Sequence, residues 1–214
     1  MTDPDVQARQ FAAESLSEND PTGWFERLYA AARDGAAIVP WDRGAPHPVL
    51  AEWVAQHGVN GDGRRALVVG SGLGADAELV ASLGFATTAF DISDTAIATA
   101  RRRFPQSSVD YRVADLLRPP PEWRAAFDLV VEIMTVQSLP PEHHPGAISA
   151  VAGTVAAGGT LIVVGSAGDR GAGPPWPLTR AEVESFATGG LEIVAIDRLS
   201  GDAERWRAEF GRPR

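Results

Sequence analysis

The sequence predicts an α/β protein: a doubly wound, mostly parallel sheet of seven strands with an antiparallel C-terminal hairpin and an N-terminal helical lid. Three observations predict it. Short continuous apolar runs, "RALVVG" (65–70) and "TLIVVGSA" (160–167), read as strands buried on both faces, as parallel sheets require. Such runs alternate with helical patterns, the mark of right-handed crossover units. Gly70, Gly72 and Gly74 follow the first run, where backbone turns tightly or approaches a ligand closely.

The elements follow in order. In "NDPTGWFERLYAAARDG" (19–35), Asp20 is placed to cap a helix, Pro21 to open it and Gly35 to stop it. Trp24, Leu28 and Ala31 share one face of that helix. The loop "AAIVPWDRGAPHP" and the helix "VLAEWVAQHG" come next. After the first strand, "ADAELVASLG" reads as a helix closed by Gly84. "FATTAFD" is the second strand, and "DTAIATARRRF" the next helix, with Asp94 as its cap. "VDYRVAD" and "FDLVVEIM" are strands three and four, separated by the turn-rich "RPPPEW". "PGAISAVAGTVAAGG" (145–159) is a helix before the fifth strand. Thr179 and Glu182 have capping-box spacing, and "LEIVAIDRLSG" and "ERWRAEFGR" form the closing hairpin.

A chain of 214 residues without internal repeats is expected to be one domain, with a lid over 1–60 and a core over 61–214. The net charge of −9 argues against a nucleic-acid surface and an anionic membrane as partners. There is no cysteine, hence no disulfide, thiol nucleophile or thiolate metal site. The polar, acidic N-terminus has no apolar core of a signal peptide, so the cytoplasm is the expected location. A monomer is the expected state.

Three ligands compete for the glycine loop. A nucleoside triphosphate loop needs Lys then Ser or Thr after its last glycine; here Ala75 and Asp76 follow Gly74. A dinucleotide loop places its third glycine one residue later and a pyrophosphate where Asp76 stands. S-adenosylmethionine carries no phosphate and needs acids for its ribose and adenine. Asp91 ends the second strand and Asp115 ends the third, so this cofactor fits best, with a dinucleotide as the remote alternative.

These residues resemble the class I S-adenosylmethionine-dependent methyltransferases, whose sheet is Rossmann-like. "VPWDRGAPHPVL", "FDLVVE" and "GPPWPLT" narrow the likeness to the thiopurine, thiol and halide methyltransferases, from about Gly23 to the C-terminus. The resemblance implies that Trp24 and Trp41 cover the cofactor. It implies that Gly70, Ser71, Gly72 and Gly74 line its methionyl part. Asp91 and Ile92 would hold ribose and adenine, Asp115 and Leu116 would frame the adenine, and Glu132 would sit near the amino group or the acceptor mouth. Pro175 and Trp176, with Met134, would wall a small-molecule acceptor pocket.

The chain departs from the family in two places. Leu28 and Tyr29 stand where some members have a second Trp. No Arg follows the fourth strand, where the nearest basic positions are His143 and His144; this disfavours a halide or carboxylate-bearing acceptor.

Plainer readings compete. Trp24 and Trp53 at helical spacing suit a core, His143–His144 a solvated loop, and "RRRF" a charged helix end. His47 and His57 lack a partner at metal spacing, so no metal is expected. Asp42, His47, Glu132 and His144 are candidate bases without a supporting spacing; Glu132 and His144 are the catalytic candidates. A missing base favours a thiol or other soft nucleophile over the oxygen or nitrogen of a small aromatic metabolite. A cofactor-binding protein without chemistry is the third reading.

Overall fold

The computed structural model describes residues 3–168, 171, 173–201 and 203–214. Its centre is one seven-stranded sheet. The strands are β1 (Arg65–Val69), β2 (Ala86–Asp91), β3 (Asp110–Val113), β4 (Phe127–Ile133), β5 (Val155–Ser166), β6 (Glu192–Leu199) and β7 (Arg205–Gly211), in spatial order β3-β2-β1-β4-β5-β7-β6. The first five run parallel, and β7 pairs antiparallel with both β5 and β6.

The continuous apolar runs are explained by burial on both faces. Along β1, Leu67 and Val69 enter one core, while Ala66 and Val68 enter the other. The first core takes Ile148 and Val151 of α6 (His144–Thr154), with Val183 of α7 (Arg180–Glu184). The second takes Leu50 and Trp53 of α3 (Pro48–His57), Val80 of α4 (Ala75–Ser82) and Ile97 of α5 (Asp94–Arg103). No helix among the described residues is long and apolar enough to cross a membrane.

Two N-terminal helices, α1 (Pro4–Ser17) and α2 (Gly23–Arg33), pack on each other through Ala8, Ala12, Trp24 and Leu28. Glu26 fastens this pair to the sheet layer. Its carboxylate accepts from the Ser93 hydroxyl at 2.5 Å, and from the Thr95 amide and hydroxyl at 3.1 and 2.5 Å. These bonds pull the Glu26 carboxyl below its ordinary range, although burial opposes them more strongly than any single bond helps.

Three boundaries differ from the sequence reading. Asp20 is not the N-cap of α2; it acts from two residues earlier, accepting from the Thr22 and Gly23 amides at 3.1 and 2.8 Å. Ser93, not Asp94, caps α5, through a 3.0 Å bond to the Ala96 amide. The helix expected over 145–159 ends at Thr154, because Ala125 and Ala126 donate to the last carbonyls, of Gly153 and Thr154. Gly158 then takes a left-handed φ of 76°, which no helix continues through. The Thr179–Glu182 capping box and the C-terminal hairpin are as expected.

Candidate active site

The carboxyl ends of β1 to β5 meet beneath the N-terminal helices and the loop 36–47, and enclose a cavity of about 330 Å³. This is the rim where open α/β sheets bind ligands, and the volume lies within the usual ~300–1,000 Å³ of small-molecule sites.

The glycine loop forms the floor. Gly70, Gly72 and Gly74 all hold positive φ, at 58°, 51° and 94°. A side chain on Gly72 would put its Cβ 2.9 Å from the Tyr29 hydroxyl, so the close approach of α2 itself demands glycine there. Ser71 lines the cavity with a buried hydroxyl that has no partner among the described residues.

Asp91 ends β2 beside that floor. It is buried, and its two oxygens accept from the Gly72 and Ser93 amides at 2.9 and 3.0 Å. Burial pushes its carboxyl up to about 6, against the pull of those amides. A carboxylate offers about four acceptor sites, so these amides leave room for a ligand. Asp115, beyond β3, is half-buried and accepts from the Leu117 amide at 2.8 Å. Both acids line the cavity, as do Ile92 and Leu116.

An aromatic roof covers the floor. Trp24 stacks on Phe25 at 3.9 Å and meets Trp41 edge-on at 5.9 Å. Trp41 donates through Nε1 to the Tyr29 hydroxyl at 2.9 Å. Burial first, then the nearby Asp91 carboxylate, raises the Tyr29 phenol well above its ordinary value, so it stays neutral. The salt bridge from Asp42 to Arg103 on α5, at 2.8 Å, ties this loop to the core.

Met134, Leu139 and Pro175 line the other end of the cavity. Three expected site residues lie elsewhere. Glu132 is 1% exposed and not on the wall. One of its oxygens closes the turn after β4 by accepting from the Thr135 and Val136 amides at 2.8 and 2.9 Å. Burial raises this carboxyl to about 7. His144 is fully spent inside the fold, with Nδ1 2.7 Å from Glu182 and Nε2 2.9 Å from the Leu139 carbonyl. Trp176 is half-buried and does not line the cavity; its amide donates to the Gln137 carbonyl at 2.7 Å.

Of the candidate bases, Asp42 and His47 line the cavity; residues that the sequence reading gave no place on the wall also stand there: Tyr29, Thr135, Gln137 and Ser166, with Asp76, Arg43 and Arg205. Tyr29 had a signal, since it follows Leu28 at the family's aromatic position. Arg205 had none, because only the β5–β7 pairing brings it there.

Residues 67–163 match the methyltransferase-domain family. A probable thiol methyltransferase 2 of Arabidopsis thaliana is 30% identical over 186 residues, covering 85% of this chain and 78% of the relative. The chain belongs to the class I S-adenosylmethionine-dependent methyltransferases.

Solved structures share the fold at lower identity. One, from work on the conversion of a disulfide bond into a thioacetal group during echinomycin biosynthesis, superposes with TM-score 0.72 at 23% identity, covering 88% of this chain and 93% of that one. The magnesium protoporphyrin IX methyltransferase of Synechocystis PCC 6803 with bound S-adenosylmethionine gives 0.61 at 19%, covering 77% and 76%. The cofactor of this methyltransferase is S-adenosylmethionine, and its own residues suit it. The glycine floor has no side chains in the way, the Ser71 hydroxyl lacks a partner among the described residues, and Asp91 keeps open acceptor sites.

Proposed function

We propose that this methyltransferase acts on the sulfur of a small thiol. Bound S-adenosylmethionine would supply an electrophilic methyl carbon to the acceptor's thiolate sulfur, with S-adenosylhomocysteine as the leaving group and the thiol's proton already lost to solvent. The chain's own task is to align the two partners and exclude water, which contributes on the order of 7–11 kcal/mol in well-oriented reactions.

In this reading Asp91 accepts from the ribose hydroxyls. Asp115, Ile92 and Leu116 frame the adenine. Gly70 to Gly74 and Ser71 hold the methionyl part, under Trp24, Tyr29 and Trp41. Met134, Leu139 and Pro175 wall the acceptor.

The carrying observation is that the histidine on the wall is held neutral and is a weak base at neutral pH. His47 is the cavity's histidine among the described residues. Its Nδ1 accepts from the Val49 amide at 3.3 Å, so a neutral ring keeps its proton on Nε2 and donates there. Burial, with Arg43 and Arg205 nearby, holds it down to about 4, which keeps it neutral. A thiol, with a pKa near ~8.5, ionises enough at neutral pH to react without a base. The thiol methyltransferase relative supports the same choice.

Asp76 favours a second reading. Burial raises its carboxyl, and it lines the cavity, where it could deprotonate a phenol. Steady-state release of S-adenosylhomocysteine with matched thiols, phenols and amines decides. Thiols are expected to be the best acceptors. A phenol preferred over its thiol counterpart, and lost in Asp76→Asn, would replace this reading with the second.

A further inference from the structure

The cavity is polarised along the sheet. Asp91 and Asp115 mark the β2–β3 end, where the adenosine is placed. The opposite end carries cations. Arg205 opens β7 directly opposite Ser166, the last residue of β5, so antiparallel pairing delivers it to the rim. Arg43 comes from the loop before α3. His47 caps α3 and is buried, at 8% exposure. With Nδ1 turned to the Val49 amide, Nε2 lies on the far side of the ring, buried and without a partner among the described residues. All three residues line the cavity.

The chain leaves this group largely uncompensated. Asp42 is held by both guanidinium nitrogens of Arg103, at 3.0 and 2.8 Å. Asp76 turns one oxygen to the His47 amide at 2.6 Å and feels the charge of Arg43, offsetting one cation. Arg205 donates to its neighbour's carbonyl, of Glu204, at 3.1 Å and forms no ion pair among the described residues. Burial first, then repulsion from Arg43, lowers Arg205 below the usual guanidinium value. Burial, then Arg43 and Arg205, does the same to His47. Two guanidinium groups and a buried N–H donor on the wall of one cavity, near enough to feel one another's charge, supply the charge and donors that a carboxylate needs.

We propose that this end of the cavity is a subsite for a carboxylate carried by the methyl acceptor, held by Arg205, Arg43 and Nε2–H of His47. The acceptor class is then a small mercapto acid. The proposal rests on the thiol reading above. It also reverses an expectation from the sequence: no arginine follows β4, but the fold brings two from the α3 loop and from β7.

The test compares 3-mercaptopropionate with 3-mercaptopropionamide, which differ only in the anion. The wild-type protein is expected to prefer the acid by about tenfold or more in kcat/KM, the scale of a charge-assisted hydrogen bond. Arg205→Gln and, separately, the exposed Arg43→Gln should move that ratio toward one. A second arm needs no turnover: calorimetry of 3-(methylthio)propionate and its amide into protein saturated with S-adenosylhomocysteine. Tighter binding of the acid, lost in Arg205→Gln, supports the subsite; equal binding overturns it. Failure of both thiols to turn over contradicts the thiol reading, and the binding arm still decides the subsite. If either variant weakens S-adenosylhomocysteine while the acid-to-amide ratio stays fixed, the cations serve the cofactor's own carboxylate and the proposal fails.

Discussion

Replacing Asp91 with Asn keeps the shape of the side chain and removes its charge. One oxygen remains to accept, while the new amino group faces the Gly72 or Ser93 amide, each now about 3 Å from the carboxylate. A hydrogen bond to a charged group is worth about 1.5–3 kcal/mol. The dissociation constant of S-adenosylhomocysteine should therefore rise by roughly 10- to 150-fold. The titration of Asp91 gives an independent readout. Its carboxyl is raised to about 6, and ribose hydroxyls donate best to the ionised form. Wild-type affinity should be highest above about pH 6 and fall below it, by up to ~tenfold per pH unit. In Asp91→Asn that slope disappears. Isothermal calorimetry across this range, with circular dichroism to confirm folding, measures both effects. Equal affinity of variant and wild type, or a wild-type affinity that does not change with pH, would refute the placement of the ribose.

Three other perturbations probe neighbouring features. Folding raises the Glu132 carboxyl from its ordinary 4.5 to about 7, so the native state holds that proton more tightly; the stabilisation is full below about 4.5 and lost as pH rises through about 7. Glu132→Gln should flatten this part of the melting-temperature profile, and an unchanged profile would count against the burial argument. Gly72→Ala forces a left-handed φ, at about 1–2 kcal/mol, and brings its Cβ to 2.9 Å from the Tyr29 hydroxyl; urea unfolding should show at least that loss, with weaker cofactor binding. His144→Gln breaks the contacts to Glu182 and Leu139 and should lose about 1–3 kcal/mol of stability while cofactor affinity stays the same. Loss of catalysis in a fully folded His144→Gln protein would restore a chemical role to that residue.

The sheet was legible because a strand buried on both faces leaves an unbroken apolar run, and because Gly70 to Gly74 punctuate the first one. Asp91 and Asp115 were placed at strand ends by the sequence; Asp91 does end β2, while Asp115 lies two residues beyond β3, and both line the cavity. Glu132 was also placed at a strand end, and misled. Its amide partners, Thr135 and Val136, lie three and four residues on, so one of its oxygens is taken up by its own turn. His144 misled likewise, since its partner Glu182 belongs to a helix far along the chain. Helix ends slipped where two capping residues lay close together, as with Asp20 and Thr22, or Ser93 and Asp94. The cationic end of the cavity was illegible from local pattern. Arg43 and His47 lie four residues apart before α3, but Arg205 joins them only through the antiparallel return of β7, which no spacing along the chain records.

The most direct measurement follows a labelled methyl group. The protein is incubated with S-adenosylmethionine carrying the label on that methyl and with a small thiol, and the products are read by mass spectrometry. The account predicts label on the thiol's sulfur, with S-adenosylhomocysteine released in equal amount. Cofactor that binds in the cavity while its label reaches no thiol would contradict it.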